Sequence, residues 1–508
     1  MSVRVRYAPS PTGSPHVGNI RDALFKHLFA RHHGGVNILR IEDTDRTRFV
    51  PGCEDEIVES LNWLGIQFQE GITAGGDCGP YRQSERKELG IYEKWVQVLL
   101  ERGHAYKAFD TPEELTEMRE FQQVNKQPIG YFGGTWRDAS AAQVEAAEAA
   151  GRPFVIRQRI PRSQTIVIQD FIRGRVEWDS DTVDDPVLIK ADGMPTYHFA
   201  AMVDDHLMSI THIMRGEEWI SSAPKHAMLF DQFEWERPVF VHCPVIKGKD
   251  GSKLSKRHGD TRVLDYRSAG YMPAALANFV ALIGWSPKGD REILTMDELI
   301  EAFDLDGLQP SPGVFDLDKL RWMNGNAIRS ADTGALVSQT VGFAQAPDTA
   351  EYWSREAHAD GTLAALELLT ETASRDPGLV REAIRLEQER VVTLADFGPA
   401  CAFFFQDEPP MDDKAVEKWF GEAHVPVLID FLIARFEGKS SVTTEECEVA
   451  IREFCTAHGF EKIGPAVHPT RVALTGKTAG PGLWDLMATL GPDRMVQRLR
   501  RAKGLVRA

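Results

Sequence analysis

Two stretches carry residue types that can handle phosphate. Residues 8–19 (APSPTGSPHVGN) set His16, Gly18 and Asn19 at a turn rich in proline and glycine. An imidazole there can donate to a phosphate oxygen, and Gly18, with no Cβ, lets a flat ring approach the backbone. A helix starting at that turn adds unpaired N–H groups and a positive dipole end. By itself the turn reads equally well as a plain connection. Far downstream, residues 248–259 (GKDGSKLSKRHG) place Lys249, Lys253, Lys256 and Arg257 among glycines. The plain reading of that run is a solvated loop.

These residues need a scaffold, and the surrounding pattern supplies one. Residues 3–7 alternate like a strand, and Ile20, Leu24 and Leu28 form a helical stripe after the turn. After the Gly34-Gly35 break, residues 36–41 read as a second strand, the β-α-β opening of a doubly wound sheet. Its carboxyl end delivers Glu42, Asp43 and Asp45, where ligands of such sheets sit. Residues 54–65 and 85–102 read as helices, and the glycine-rich 71–79 segment as a structural loop. Over 101–190 the pattern becomes mixed, with a helix at 139–150 and apparently paired strands at 153–160 and 165–172, as an insertion would be. Apolar strands resume at 187–189, 206–214 and 239–245, and a helix is expected at 273–283. Beyond residue 326 the period is helical, at 362–374, 378–394, 415–436, 444–458 and 482–490.

Composition narrows the classes. With 508 residues, 43% hydrophobic and 26% charged, the chain suits a soluble protein of roughly three or four domains. No apolar run approaches the ~20 residues that span a bilayer, and the N-terminus has no apolar signal core, so a cytoplasmic protein without membrane contact is expected. Cys53, Cys78, Cys243, Cys401, Cys447 and Cys455 are scattered with no CxxC pair, so neither disulfides nor zinc is expected. His32-His33 reads as the frayed polar end of the first helix. The net charge of −17 argues against indiscriminate nucleic-acid binding but allows a specific complex through local basic surface. The 247–262 loop is one such concentration; the tail with Arg494, Arg498, Arg500, Arg501, Lys503 and Arg507 is another, of low weight.

Residues 253–256 (KLSK) resemble the KMSKS motif of class I aminoacyl-tRNA synthetases, and residues 15–19 (PHVGN) their HIGH motif, with Asn19 at the second histidine. Longer strings, residues 8–13 (APSPTG), 40–45 (RIEDTD), 79–86 (GPYRQSER), 195–198 (PTYH), 203–206 (VDDH), 320–324 (LRWMN) and 474–483 (LTGKTAGPGL), are similar to the bacterial glutamyl-tRNA synthetase family nearly end to end. The resemblance implies an α/β fold: a Rossmann-like doubly wound parallel sheet with an α+β insertion, then an all-α C-terminal anticodon-binding half. The implied parts are catalytic halves at 1–100 and 191–246, an acceptor-stem insertion at 101–190, a stem-contact domain at 247–325, and helical subdomains at 326–390 and 391–508.

It further implies attack of a glutamate carboxylate on the α-phosphorus of ATP, then transfer to the terminal adenosine of tRNA-Glu. His16, Lys253 and Lys256 would stabilise the phosphates, the glycines letting the lysine loop close and reopen. Pro9, Gly13, His16, Gly18, Asn19, Glu218 and Lys256 would bind ATP. Arg6, Ala8, Ser10, Glu42, Tyr197 and Arg215 would bind L-glutamate, whose two carboxylates call for guanidinium groups. Without the family, Arg6 and Glu42 read as structural ion pairs. Mg²⁺ is expected with ATP, no protein-held metal is expected, and the protein is expected to be a monomer. Two departures stand out. Ala201 replaces a common asparagine, removing an amide contact, and Gln388 aligns with an arginine that discriminating members use on the anticodon, which leaves tRNA-Gln open as a second substrate. The rivals are a truncated relative that modifies tRNA-Asp, which lacks the helical half, glutaminyl-tRNA synthetase, expected to carry a β-barrel there, and a catalytically silent tRNA-binding paralogue.

Overall fold

The computed structural model describes residues 2–505 except 46, 253, 255–261 and 359. The chain divides into two compact units, Met1–Val263 with Ala277–Leu317, and Leu264–Leu276 with Asp318–Ala508. No helix among the described residues is long and apolar enough to cross a membrane.

The first unit is built on two parallel β-α-β turns. Strand β1 (Arg4–Tyr7), helix α1 (Val17–His32) and strand β2 (Val36–Leu39) form one, with β2 also paired in parallel to β3 (Glu70–Gly71). Val5, Tyr7, Ile38 and Leu39 are all buried, as parallel strands covered on both faces require. Between the two turns run β4 (Ala105–Ala108), β5 (Val155–Gln158), β6 (Thr165–Asp170), β7 (Gly174–Asp179) and β8 (Val187–Ile189). The second turn is β9 (His212–Gly216), the helix Ala223–Phe233 and β10 (Val239–Cys243), with β9 and β10 parallel. The Thr211 N–H donates to the Arg4 carbonyl at 2.9 Å and so links the end of β9 to β1. The first strands of the two turns are therefore neighbours, and the strand order reverses between them.

Several expected elements are placed differently. The 153–160 and 165–172 strands do not pair with each other. β5 lies antiparallel between β4 and β8, whereas β6 pairs antiparallel with β7 and parallel with β10. Residue 206 closes the helix Tyr197–Leu207 rather than opening a strand, and β9 begins at His212. The 85–102 helix is two, Gln83–Glu88 and Ile91–Glu101, broken at Gly90 with φ +69°. The His32-His33 pair is not frayed: a His32 Nδ1 contacts the Ile300 carbonyl at 2.9 Å, and His33 Nε2 lies 3.3 Å from Asp304.

The second unit is helical, around a core that includes Leu336, Leu369, Ile384, Phe404, Leu432, Phe454 and Leu486. The 415–436 helix is broken into Asp413–Trp419 and Val425–Phe436, with Pro426 in the first turn of the latter. The 378–394 helix stops at Glu387, and beyond it the Asp396 carboxylate takes the N–H groups of Val392 and Thr393. The last helix, Leu483–Lys503, outruns the expected 482–490 by continuing past a kink at Gly491.

Candidate active site

Open parallel sheets bind ligands beyond the carboxyl ends of the strands, where the order reverses. Here that point lies between β1 and β9, and a cleft of about 1470 Å³ opens there. Its walls come from Arg6 through Ser10 on one side and Met214, Arg215, Gly216 and Glu218 on the other, with Glu42, Tyr197 and the His16 turn around them.

The turn is held by its own histidine. His16 is the N-cap of α1: its Nδ1 accepts from the N–H groups of Gly18 at 3.0 Å and Asn19 at 3.3 Å, while Asn19 Oδ1 accepts from the His16 N–H at 3.1 Å. Ile20 N–H is bonded to the His16 carbonyl. The N–H groups of residues 18 to 20 are therefore spent within the turn, which corrects the expectation that they face a phosphate. What the turn offers is the ring. With Nδ1 an acceptor, the neutral imidazole carries its proton on Nε2. Gly18 has a different reason as well: a Cβ there would lie 2.9 Å from His16 Cε1, so the glycine makes room for the cap. Asn19 serves as the reciprocal cap. Gly13 lies outside the cleft wall, its carbonyl accepting from the Cys53 thiol at 2.9 Å.

The opposite wall is cationic. Arg215 is buried, and its Nε and Nη1 meet the imidazoles of His242 at 3.0 Å and His226 at 2.8 Å. Its Nη2 is buried with no hydrogen-bond partner, and no carboxylate pairs with it among the described residues. Burial draws its pKa below the usual guanidinium value. Arg6 is buried too; burial opposes its charge, but Asp205, accepting from its Nε at 2.9 Å, raises its pKa overall. Asp205 also holds Arg40 at 2.9 Å, and Arg40 holds Glu42 at 2.9 Å. Arg6 and Glu42 are thus both ion-paired and cleft-lining. Burial raises the Glu42 carboxyl above its ordinary pKa against the pull of Arg40 and Arg6. Tyr197 packs on Trp219 with ring centroids 4.4 Å apart, and burial raises its phenol pKa. Of the adjacent acids, Glu218 lines the cleft, while Glu217 accepts from the Val245 N–H at 2.9 Å.

Described residues in and just beyond the second stretch reach the first. His16 forms a β-bridge with Arg262, and the Val263 N–H donates to the Pro15 carbonyl at 3.1 Å. Leu254 lines the cleft from the other end of that loop. Lys253 and Lys256 lie outside the described residues.

Sequence reasoning missed the supports. Arg40 and Asp205 were legible only as charges inside apolar strings, and their buried phase was the available signal. Lys26, buried in the cleft wall and paired with Asp22, was signalled by the i, i+4 spacing. Ala201 is buried within its helix and does not line the cleft. Gln388 is buried: its Nε2 donates to the carbonyls of Ile328 at 2.9 Å and Ala331 at 2.8 Å, and its Oε1 accepts from Thr333. It closes a helix end, so it offers no amide to an anticodon base.

Residues 2–322 match the family profile described as tRNA synthetases class I (E and Q), catalytic domain, and residues 357–503 match an anticodon binding domain. A glutamate–tRNA ligase of Geobacillus stearothermophilus is 41% identical over 502 residues, covering 98% of each chain. That of Thermus thermophilus is 40% identical over 501 residues, covering 98% of this chain and 99% of its own. The crystal structure of a glutamate tRNA ligase from Elizabethkingia meningosepticum, in complex with its amino acid, superposes with a TM-score of 0.88 at 33% identity over the whole of both chains. The sheet, the cleft at its switch point and these matches define a class I aminoacyl-tRNA synthetase. Within that class, the chain belongs to the glutamate–tRNA ligase family.

Proposed function

We propose that this chain activates L-glutamate with ATP and passes it to tRNA-Glu, acting in the cytoplasm as a monomer. The observation that carries the reading is Arg215: a buried guanidinium with no carboxylate partner, on the wall of a cleft that Arg6, Tyr197 and Glu42 share. A guanidinium so placed costs burial energy that an incoming carboxylate offsets.

In this reading Arg215 and Arg6 take the glutamate carboxylates with the Tyr197 hydroxyl, and Glu42, beside Ala8 and Ser10, takes the α-ammonium. The α-carboxylate oxygen attacks the α-phosphorus and pyrophosphate leaves. His16 Nε2–H donates to phosphate oxygens on which charge grows, with Lys253 and Lys256 of the KLSK string, so the gain is largest in the transition state. Pro9, Gly18, Asn19 and Glu218 shape the nucleotide end. The 2′-hydroxyl of the tRNA terminal adenosine then takes the glutamyl group and AMP leaves. Positioning and charge suffice for both steps, with no side chain needed as general base. Three of the described cleft acids are paired (Glu42 with Arg40, Asp22 with Lys26, Asp45 with Arg48), and Mg²⁺ entering with ATP would rest mainly on phosphate and water oxygens. The part boundaries expected from the sequence are kept in this proposal, with the helical half reading the anticodon.

Glutamate-dependent ATP–pyrophosphate exchange tests the reading, run without tRNA, with tRNA-Glu and with tRNA-Gln. Exchange with tRNA-Glu is the expected result; exchange with tRNA-Gln as well would make the enzyme non-discriminating, the possibility that a glutamine at position 388 leaves open. No exchange in any mixture overturns the reading in favour of a silent tRNA-binding protein.

A further inference from the structure

Arg215 sits at the centre of a buried chain of hydrogen bonds drawn from five elements. At one end the Asp170 carboxylate, at the close of β6, lies 2.7 Å from His242 Nδ1 on β10. A carboxylate at this site only accepts, so His242 carries its proton on Nδ1 and presents a bare Nε2. That nitrogen receives Arg215 Nε–H at 3.0 Å. On the other side Arg215 Nη1–H reaches His226 Nδ1 at 2.8 Å, and since arginine only donates, that nitrogen too is bare. His226 therefore carries its proton on Nε2, which donates to His198 Nδ1 at 2.9 Å. The tautomers of His242 and His226 follow from the two groups that cannot change role, the Asp170 carboxylate as acceptor and the Arg215 guanidinium as donor.

We propose that His242 and His226 are positioning residues that lock Arg215 from behind and leave its Nη2 as the nitrogen that meets a substrate carboxylate. The inference rests on the reading of Arg215 as a glutamate contact. Two of the three guanidinium nitrogens are spent on imidazoles, and the third is buried and partnerless at the cleft. Imidazoles suit this task better than carboxylates: they fix the fork without neutralising it, so its full charge remains for the substrate. The lock needs both rings neutral, since a protonated ring would turn a donor and a positive charge toward Arg215. Their surroundings agree. Burial, then Arg215, push His226 well below the ordinary histidine value, and burial lowers His242 despite Asp170. The other charged groups near the chain are Arg6 and Asp205 beside Arg215, and Arg173, Lys225 and Asp184 beside the histidines.

The test compares shape-keeping with acceptor-removing variants. Asn Oδ1 can stand where His226 Nδ1 stands, and Gln Oε1 where His242 Nε2 stands, so H226N and H242Q keep an acceptor that H226L and H242L remove. In exchange assays with tRNA-Glu, the leucine variants should raise KM for glutamate about tenfold or more, with KM for ATP within about twofold. H226N and H242Q should stay within about threefold of the parent. Long-range ¹H–¹⁵N spectra of the intact ¹⁵N-histidine-labelled protein at neutral pH should show His242 as the Nδ1–H and His226 as the Nε2–H tautomer. That readout holds even where a leucine variant does not fold. The opposite tautomer at either ring, or a folded leucine variant with parental KM for glutamate, overturns the lock. Asparagine and glutamine variants as impaired as the leucine ones overturn it as well. R215A separates the two layers: if it leaves KM for glutamate unchanged in an active enzyme while the spectra show the expected tautomers, the substrate reading fails and not the hydrogen-bond chain.

Discussion

In the proposed reaction His16 has two tasks, one for each nitrogen of its ring. Nδ1 caps α1, and the cap in turn places the proton on Nε2. The tasks can be separated, because asparagine is a good N-cap and lacks the second nitrogen. His16→Asn should keep the thermal midpoint close to the parent while lowering the exchange rate by about tenfold or more. His16→Ala should lose the rate and also ~1 kcal/mol of stability. A matching midpoint and rate in the asparagine variant would show that the ring acts only as a cap. His198 supports a pH prediction. Burial, then Lys225 and Arg215, lower its pKa to about 4 from the ordinary 6.5. Below pH 6.5 the unfolded chain takes up a proton that the folded chain refuses, so this stability is intact above 6.5 and drains away toward about 4. His198→Asn retains an acceptor for His226 but cannot titrate. Its stability, read from the melting temperature, should fall less steeply than the parent's over that window, by about 3 kcal/mol at the acid end. Parallel curves would contradict the assignment.

The elements show why certain family strings persist as strings of particular side chains. Asn324, within LRWMN, is fully buried, accepts from the Met272 N–H at 2.8 Å and donates to the Val392 carbonyl at 2.6 Å. One side chain thereby satisfies two backbone groups of segments that have no ladder to join. Asn324→Leu leaves both unpaired and should cost ~2–4 kcal/mol, read as a lower urea midpoint, whereas a surface change such as Glu367→Gln should leave the midpoint in place. Gly476, within LTGKTAGPGL, ends a helix at φ +72°, and a Cβ there would lie 2.0 Å from the Pro410 carbonyl oxygen. Both residues read as family markers in the sequence, and both are structural in the fold. Helix breaks were hidden for a related reason. Periodicity continues across Gly90, because the break there redirects the chain without changing which residues are apolar.

For the whole molecule, charge sets the terms on which tRNA is met. A chain of net charge −17 repels a polyanion everywhere except at local basic surface. Binding of tRNA should therefore weaken steeply as salt rises, with the log–log slope counting released counterions. KM for tRNA should climb by about an order of magnitude or more between roughly 50 and 200 mM salt, while KM for glutamate moves little, because its contacts lie in a buried cleft. Equal salt sensitivity of the two constants would contradict that division. What could be known from residues alone was the class of chemistry and the ends of the chain that carry it, since turn residues, strand alternation and the lysine run are local properties of adjacent residues. His16 was legible in this way, whereas Arg6, Glu42, Tyr197 and Arg215 were given their site roles only through the family resemblance; all five line the same cleft. Tertiary structure alone decided what each is bonded to. It set the His16 tautomer, spent the turn's N–H groups on that ring, placed Asp205 between Arg6 and Arg40, enclosed Gln388 in a helix end, and gathered Asp170, His242, His226 and His198 behind Arg215. These partners lie far apart in the chain, and no local pattern encodes a hydrogen bond between residues that only the packing of separate elements brings within 3 Å.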